Sequence, residues 1–296
     1  VITETILSVS IYLFIITSML FIGLGHTYRD FLAPFKNRKL VIFALLVNLI
    51  LIPVAGYLVA LLFALSGVML VGFLLMTSAP GASYGPRLAE VSGGDVPFAT
   101  GLMFLLCTVA LVSTPITLII LMPAGTVIKV WPVIRTLLLL MALPMGIGLL
   151  VRAKRPEIAR KLEGPVVWAS YLMILIVLIM VLLTVLFAPD SLGGLSRLFG
   201  TFGIAAMVIT VGLSLFFGYF SGGSTTGTRR SLAIGSAIRN AGMAMLFATS
   251  MYGDVTEILP VLIVYIIIQT LMVGLAAGRW RRRPAPHQQL PNSPAH

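Results

Sequence analysis

An arginine inside an apolar run invites chemistry that a surface arginine does not. Arg239 lies in LAIGSAIRNAGMAMLFATSMYG, which leaves Arg229 and Arg230 behind and runs on to Asp254. Nine positions separate Arg230 from Arg239, roughly 13 Å of helix at 1.5 Å per residue. That distance carries the guanidinium toward the middle of a hydrocarbon layer about 30 Å thick. A charge at such depth must face protein, water or a ligand rather than lipid. Asn240 follows it, and Gly235, Ser236, Ala237 and Gly242 flank the pair. Polar and small residues at mid-depth predict a helix interrupted at a binding site. Two roles stay open for Arg239. It meets a carboxylate of a substrate in a two-point geometry, or it binds backbone carbonyls for structure alone.

A second interruption is written into SAPGASYGPRLAEVSGGDVP, residues 78–97. Pro80 and Pro86 lack backbone donors, and Gly81 and Gly85 permit unusual backbone angles. The freed amides and carbonyls need partners where bulk water is absent. Ser83 and Tyr84 sit at this break, placed to donate to a substrate. Arg87 and Glu90 are three apart and can pair on a helix; with Asp95 they read either as an interfacial cluster fixing a helix end or, for Arg87, as part of the site. Asn48 stands mid-span in LLVNLILIP and is also a candidate ligand-binding residue. Tyr265 and Gln269 share a face of the last apolar segment, where a buried amide more often joins helices by hydrogen bonds. The candidate substrate-binding set is therefore Arg239, Asn240, Asn48, Ser83, Tyr84, Arg87 and Ser236.

The elements that must position these residues are membrane spans. Of the 296 residues 59% are hydrophobic and 10% charged, against about 25% charged in soluble domains; the mean hydropathy is +1.08. Nine apolar segments of about 20 residues each are read near 5–25, 40–63, 67–86, 96–122, 129–151, 166–188, 199–220, 230–251 and 258–278. The third and eighth are the interrupted ones. They stand in corresponding places and run in opposite directions, which predicts inverted repeats with a site between them.

The net charge of +11 would suggest nucleic acid in a soluble protein. Here the basic residues collect in alternate loops and at the end of the chain: Arg29, Lys36, Arg38, Lys39, then Arg87, then Arg152, Lys154, Arg155, Arg160, Lys161, then Arg229 and Arg230, then Arg279, Arg281, Arg282 and Arg283. The other face holds Lys129, Arg135 and Arg197. The positive-inside rule then places the N-terminus outside and the C-terminus in the cytoplasm. No nucleic-acid partner is implied; the lipid bilayer is the partner. The sequence reads as one transmembrane domain over 1–283 and a Pro-rich, polar, disordered tail over 284–296. No signal peptide is visible.

Enzyme signatures are missing. There is no HExxH, no Walker loop, no nucleophile beside a base and no mid-membrane carboxylate pair. His287 and His296 lie in the tail, and Cys107 is the single cysteine, so neither a metal site nor a cofactor is expected.

In order, spacing and direction, these features resemble the bile acid/sodium symporter family over about 25–275. The resemblance rests on FIGLGHTYRDF and the basic turn after it, on Asn48 five residues before Pro53, on Pro80-Gly81, on Gly94-Asp95-Val96, and on RRSLAIGSAIRNAG. It implies the nine-span form, with a core domain, a panel domain and two broken helices crossing in the core. It also implies where sodium would bind, and there this chain departs. The family's Ser and Asn after the Pro-Gly motif fall on Gly85 and Pro86, its early hydroxyls on Ala99 and Met103, its acidic residue on Gly235 and its Gln on Arg239. Asn240 keeps its type, and Asn48 stands for another Gln. A hard cation wants oxygen ligands, so the resemblance implies the fold without an occupied sodium site, and with a fixed guanidinium in the place of the cation.

The function expected is a secondary transporter or facilitator of a small organic anion, working by alternating access in the bacterial inner (plasma) membrane without the usual sodium coupling. Protons remain open as a coupling ion. The alternatives are an arsenite-type exporter, for which Cys107 has no obvious place in a broken helix, and a substrate-binding membrane sensor on a transporter fold.

Overall fold

The computed structural model describes residues 2–32, 34, 37–122, 130–187, 202–252, 255 and 257–282. Lys36, Lys129, Arg197, Asp254, Arg283 and the 284–296 tail lie outside them. The described chain is helical. In order come α1 (Ile2–Gly25), α2 (Tyr28–Leu32), α3 (Arg38–Leu46), a π-turn (Val47–Leu51), α4 (Ile52–Leu62), α5 (Gly67–Thr77), α6 (Gly85–Val91) and α7 (Val96–Leu121). They are followed by α8 (Val130–Leu137), a second π-turn (Leu138–Ala142), α9 (Leu143–Lys154), α10 (Pro156–Phe187), α11 (Gly203–Ser221), α12 (Thr226–Ala237), α13 (Ala241–Tyr252) and α14 (Leu259–Arg281).

Among the described residues seven helices are long and apolar enough to cross a membrane: Thr5–Gly25, Arg38–Leu62, Val96–Leu121, Val133–Lys154, Pro156–Leu183, Gly203–Ser221 and Leu259–Arg281. The chain is an integral membrane protein. The third and eighth segments are different. α5 has 11 residues and α6 has 7, and α12 and α13 have 12 each. None of these reaches the roughly 20 residues a spanning helix needs.

Two boundaries depart from the sequence reading for a local reason. The sixth segment does not start at 166: α10 begins at Pro156, and Arg160 and Lys161 ride on the helix rather than in a loop. Pro156 supplies a φ suited to the first helical position, and Glu157 in the first turn favours the positive end of the helix dipole. The eighth segment starts earlier too. Thr225 caps α12 by accepting from the Thr228 N–H at 3.2 Å, so Arg229 and Arg230 are helical.

α1 packs against α9 and α10, and the rest of the chain assembles around the two interruptions. Where α1 meets α9 the backbones touch. A Cβ on Gly23 would lie 2.2 Å from the Met145 carbonyl oxygen, and one on Gly148 would lie 2.7 Å from that of Leu20. Small residues permit such an approach between helices in lipid.

Candidate functional site

The two interruptions meet. Pro80 and Arg239 form an isolated antiparallel bridge, and the Asn240 N–H donates to the Ala79 carbonyl at 2.7 Å. Proline suits its place, since it brings no donor of its own to be satisfied there. The backbone left open between α5 and α6 is then closed by other elements. Thr114 on α7 donates its hydroxyl to the Ser78 carbonyl at 2.9 Å. The Gly81 carbonyl accepts from the Cys107 thiol at 2.7 Å and from Asn240 Nδ2 at 3.0 Å. Gly81 itself has φ +89, and a Cβ there would lie 2.8 Å from both the Cys107 backbone N and its sulfur. Only glycine satisfies the angle and the approach together.

Arg239 is 0% exposed and sits where three sets of carbonyls converge. Nε donates to the Met76 carbonyl at 3.4 Å, and Nη2 donates to that of Thr77. These are carbonyls of the last turn of α5, where the helix stops; that of Met76 also accepts from the Ala79 N–H at 3.2 Å. Nη1 donates to the Ser236 carbonyl at 3.3 Å, in the last turn of α12. Nη1 also reaches Asn48 Oδ1 at 3.2 Å, and Nη2 reaches the Asn48 carbonyl at 3.3 Å. A guanidinium has five N–H groups, and here each has an oxygen.

The Asn48 carbonyl is free for a traceable reason. In an α-helix it would accept from Ile52, but the π-turn sends the Ile52 N–H to Val47 instead. The next N–H along would be that of residue 53, which is proline and has none. The cation also lies at two helix C-termini, those of α5 and α12, where the helix dipoles are negative. No carboxylate is among its hydrogen-bond partners.

Supporting groups fix this arrangement. Gln269 on α14 accepts from the Arg239 N–H at 3.0 Å and donates to its carbonyl at 3.2 Å. One side-chain amide thus serves the extended arginine as a neighbouring strand would. Gln269 Nε2 also donates to the Tyr84 hydroxyl at 2.9 Å. Asn48 Nδ2 donates to the Ala44 carbonyl at 2.9 Å and to Ser236 Oγ at 3.0 Å; its oxygen must face Arg239, because guanidinium only donates. Asn240 Oδ1 accepts from the Met243 N–H at 3.0 Å and so caps α13.

A family model described as the Sodium Bile acid symporter family matches residues 11–188. The chain belongs to the sodium bile acid symporter family. A search among curated proteins returned no match. Members of this family are membrane transporters, and the matched region is a transporter-like membrane domain.

Within this family member, the positions that the resemblance assigns to sodium come together without the oxygens. Gly85, Ala99, Met103 and Gly235 line one small cavity, with room of about 10 Å³, near the lower limit for a single water. Among the described residues around it, Ser231 alone brings a side-chain oxygen. That hydroxyl donates to the Asp95 carbonyl at 2.8 Å. Such a donor set does not fit a sodium ion, which takes several oxygens.

The seven candidate residues divide. Arg239, Asn240, Asn48 and Ser236 are buried and bonded to one another or to the first break. Ser83 and Tyr84 are half-buried beside α6, and Arg87 is exposed on it. Arg87 and Glu90 both face outward from α6, while Asp95 accepts from the Phe98 N–H at 2.9 Å and caps α7.

Three residues carry more than the sequence suggested. Gln269 holds Arg239 itself rather than simply joining helices. Cys107 was expected to have no place at a broken helix; it lies on the first break, one turn beyond Met103 on α7. Arg230, read as a loop charge, is 5% exposed and donates through Nη1 to the Ser92 carbonyl at 2.7 Å, at the end of α6. The Asp95 N–H donates to the Gly227 carbonyl at 3.1 Å beside it. The second broken element therefore grips the first at both ends of α6. A place in an apolar run was the available signal for Arg239; Arg230, beside Arg229 in a polar stretch, gave none. For Cys107 there was none, since thiols are common among buried apolar residues.

Proposed function

We propose that this protein is a secondary transporter or facilitator that moves a small organic anion by alternating access, without sodium coupling. The observation that carries the reading is Arg239. It is a permanent cation at the junction of two interrupted helices, with every donor on a carbonyl oxygen and, among the described residues, no carboxylate bonded to it. Carbonyl dipoles and two helix C-termini stabilise it, but no carboxylate among the described residues neutralises its formal charge, and low-dielectric walls then extend its attraction to an anion nearby. The guanidinium acts as the cross-link of the junction and attracts the substrate through space. Ser83, Tyr84 and Arg87, which keep exposed surface, are the groups that meet the substrate first, and Asn240, Asn48 and Ser236 hold the junction behind them.

The architecture proposed is the nine-span form. α1, the α8–α9 span and α10 make the panel. The α3–α4 span, α7, α11, α14 and the two broken pairs make the core. Packing of α1 against α9 and α10 supports this division, and the antiparallel bridge at Pro80 and Arg239 supports inverted repeats. The N-terminus lies outside and the C-terminus in the cytoplasm, supported by the basic residues Arg152, Lys154, Arg155, Arg279, Arg281 and Arg282 on one set of ends. The proposed setting is a bacterial inner membrane.

Counterflow in liposomes containing the full chain, in sodium-free choline medium, tests the reading. Labelled organic anions should exchange against unlabelled ones at a rate that added sodium leaves unchanged. Binding without exchange would establish a sensor. The position of Cys107 gives the arsenite reading a specific footing. It predicts arsenite efflux that Cys107→Ser abolishes, whereas a thiol that simply satisfies the Gly81 carbonyl predicts no arsenite flux at all.

A further inference from the structure

We infer that the anion crosses without a companion ion, so that each turnover carries the substrate's own charge and the membrane potential sets the direction of net flux. This rests on the transport reading above and goes one step beyond it. A symporter needs a cation that binds on one side and leaves on the other. Arg239 cannot leave. It is part of the chain, and its five donors are shared among α5, the π-turn and α12.

The neighbouring cavity does not supply an exchangeable cation either. Gly85, Ala99, Met103 and Gly235 line it without side-chain oxygens, the Ser231 hydroxyl donates to the Asp95 carbonyl, and the room is that of about one water.

A proton would need a carboxylate or imidazole at the junction, and among the described residues none hydrogen-bonds there. Asp30 accepts from the Thr27 N–H and hydroxyl, at 2.7 and 2.9 Å. Asp95 caps α7. Glu90, Glu157 and Glu257 are exposed. Glu163 lies beside Gly25, on the α1 side of the molecule. His26 uses Nδ1 on the Ile22 carbonyl at 2.8 Å and sets its ring edge against Phe104. Among the described residues, the Cys107 thiol donates to the Gly81 carbonyl and the Tyr84 phenol accepts from Gln269. No described residue of the junction is arranged to carry a positive charge across in step with the substrate.

A fixed cation and a mobile anion give a simple rule. For a cell interior held negative, an unaccompanied anion is driven outward, so the protein works as an exporter unless the inward gradient is larger. At rest a monoanion should distribute tenfold per ~59 mV, and a dianion tenfold per ~30 mV.

The test uses liposomes containing the full chain, with potassium gradients and valinomycin to set potentials of either sign. Sodium is absent and pH is equal on both sides. The probes are labelled taurocholate and gluconate as monoanions and succinate as the dianion. Accumulation on the positive side, reversing with the sign of the potential and steeper for succinate, is the result expected. Carried flux that ignores the potential, or that follows an imposed sodium or pH gradient, overturns the inference while leaving transport standing. Flux of all three probes no greater than in protein-free liposomes overturns the transport reading, and this inference with it.

Discussion

Replacing Arg239 by glutamine should unlatch the junction. The guanidinium satisfies the carbonyls of Met76, Thr77, Ser236 and Asn48 together with Asn48 Oδ1. Glutamine is shorter and has two N–H groups; the Met76 oxygen keeps the Ala79 N–H, so at least two of the other four oxygens are left without a donor. A stranded buried acceptor costs about 1–3 kcal/mol, which makes roughly 2–6 kcal/mol in all. Against this stands the relief of no longer burying a cation, an effective several kcal/mol. The terms share partners and are not additive. Removal of one member of a buried charged network typically costs about 3–5 kcal/mol, and that is the net loss expected. For a chain of this size a kcal/mol corresponds to about 2–4 °C, so the midpoint in detergent should fall by about 6–20 °C. Arg239→Lys keeps the charge with three donors on a single nitrogen, and should fall between wild type and Arg239→Gln. Fluorescence-detected size-exclusion after a heating series measures all three proteins. A midpoint for Arg239→Gln within about 1 °C of wild type would refute the assignment of Arg239 as the cross-link, whatever its effect on transport.

Gln269→Ala should cost about 2 kcal/mol, because the Arg239 N–H and carbonyl both lose their partner; the same heating series checks it, and an unchanged midpoint would remove the strand-like role of Gln269. Gly81→Ala should be among the most harmful single-methyl additions in the chain, since φ +89 and the 2.8 Å approach to Cys107 both oppose it; folded yield after detergent extraction should drop severalfold, and normal yield would show that the break relaxes freely. Cys107→Ser should change stability by under about 1 kcal/mol, as a hydroxyl also donates to the Gly81 carbonyl. In wild type the thiol should resist maleimide until the protein is unfolded in SDS, being 2% exposed. Exchanging sodium for potassium at equal ionic strength should leave the wild-type midpoint unchanged, because a ligand stabilises only what it binds.

Much of the molecule is legible from local chemistry. Composition and the length of the apolar runs make it a membrane protein, because lipid tolerates backbone only where its hydrogen bonds are closed. The two interruptions are legible for the same reason. Pro80, Gly81, Gly85 and Pro86 withdraw donors and shape the first, and a mid-depth Arg239-Asn240 pair among small residues cannot sit quietly in an unbroken helix. Pro156 and Glu157 also announce the start of α10, a local signal that the charge pattern around it obscured. What the residues could not declare is which carbonyls answer which donor. Arg239 meets Asn48 across 191 positions and Thr77 across 162, and Gln269 meets Tyr84 across 185. Those pairings follow from how helices pack, and packing in lipid is set by shape rather than by a pattern of apolar residues. Tertiary structure alone therefore decided which oxygens meet the guanidinium at this junction. The sequence required that a buried cation have partners; the meeting of two helix ends with the Asn48 carbonyl, which the π-turn and Pro53 leave open, and with the Asn48 side-chain oxygen supplied five of them from the protein itself.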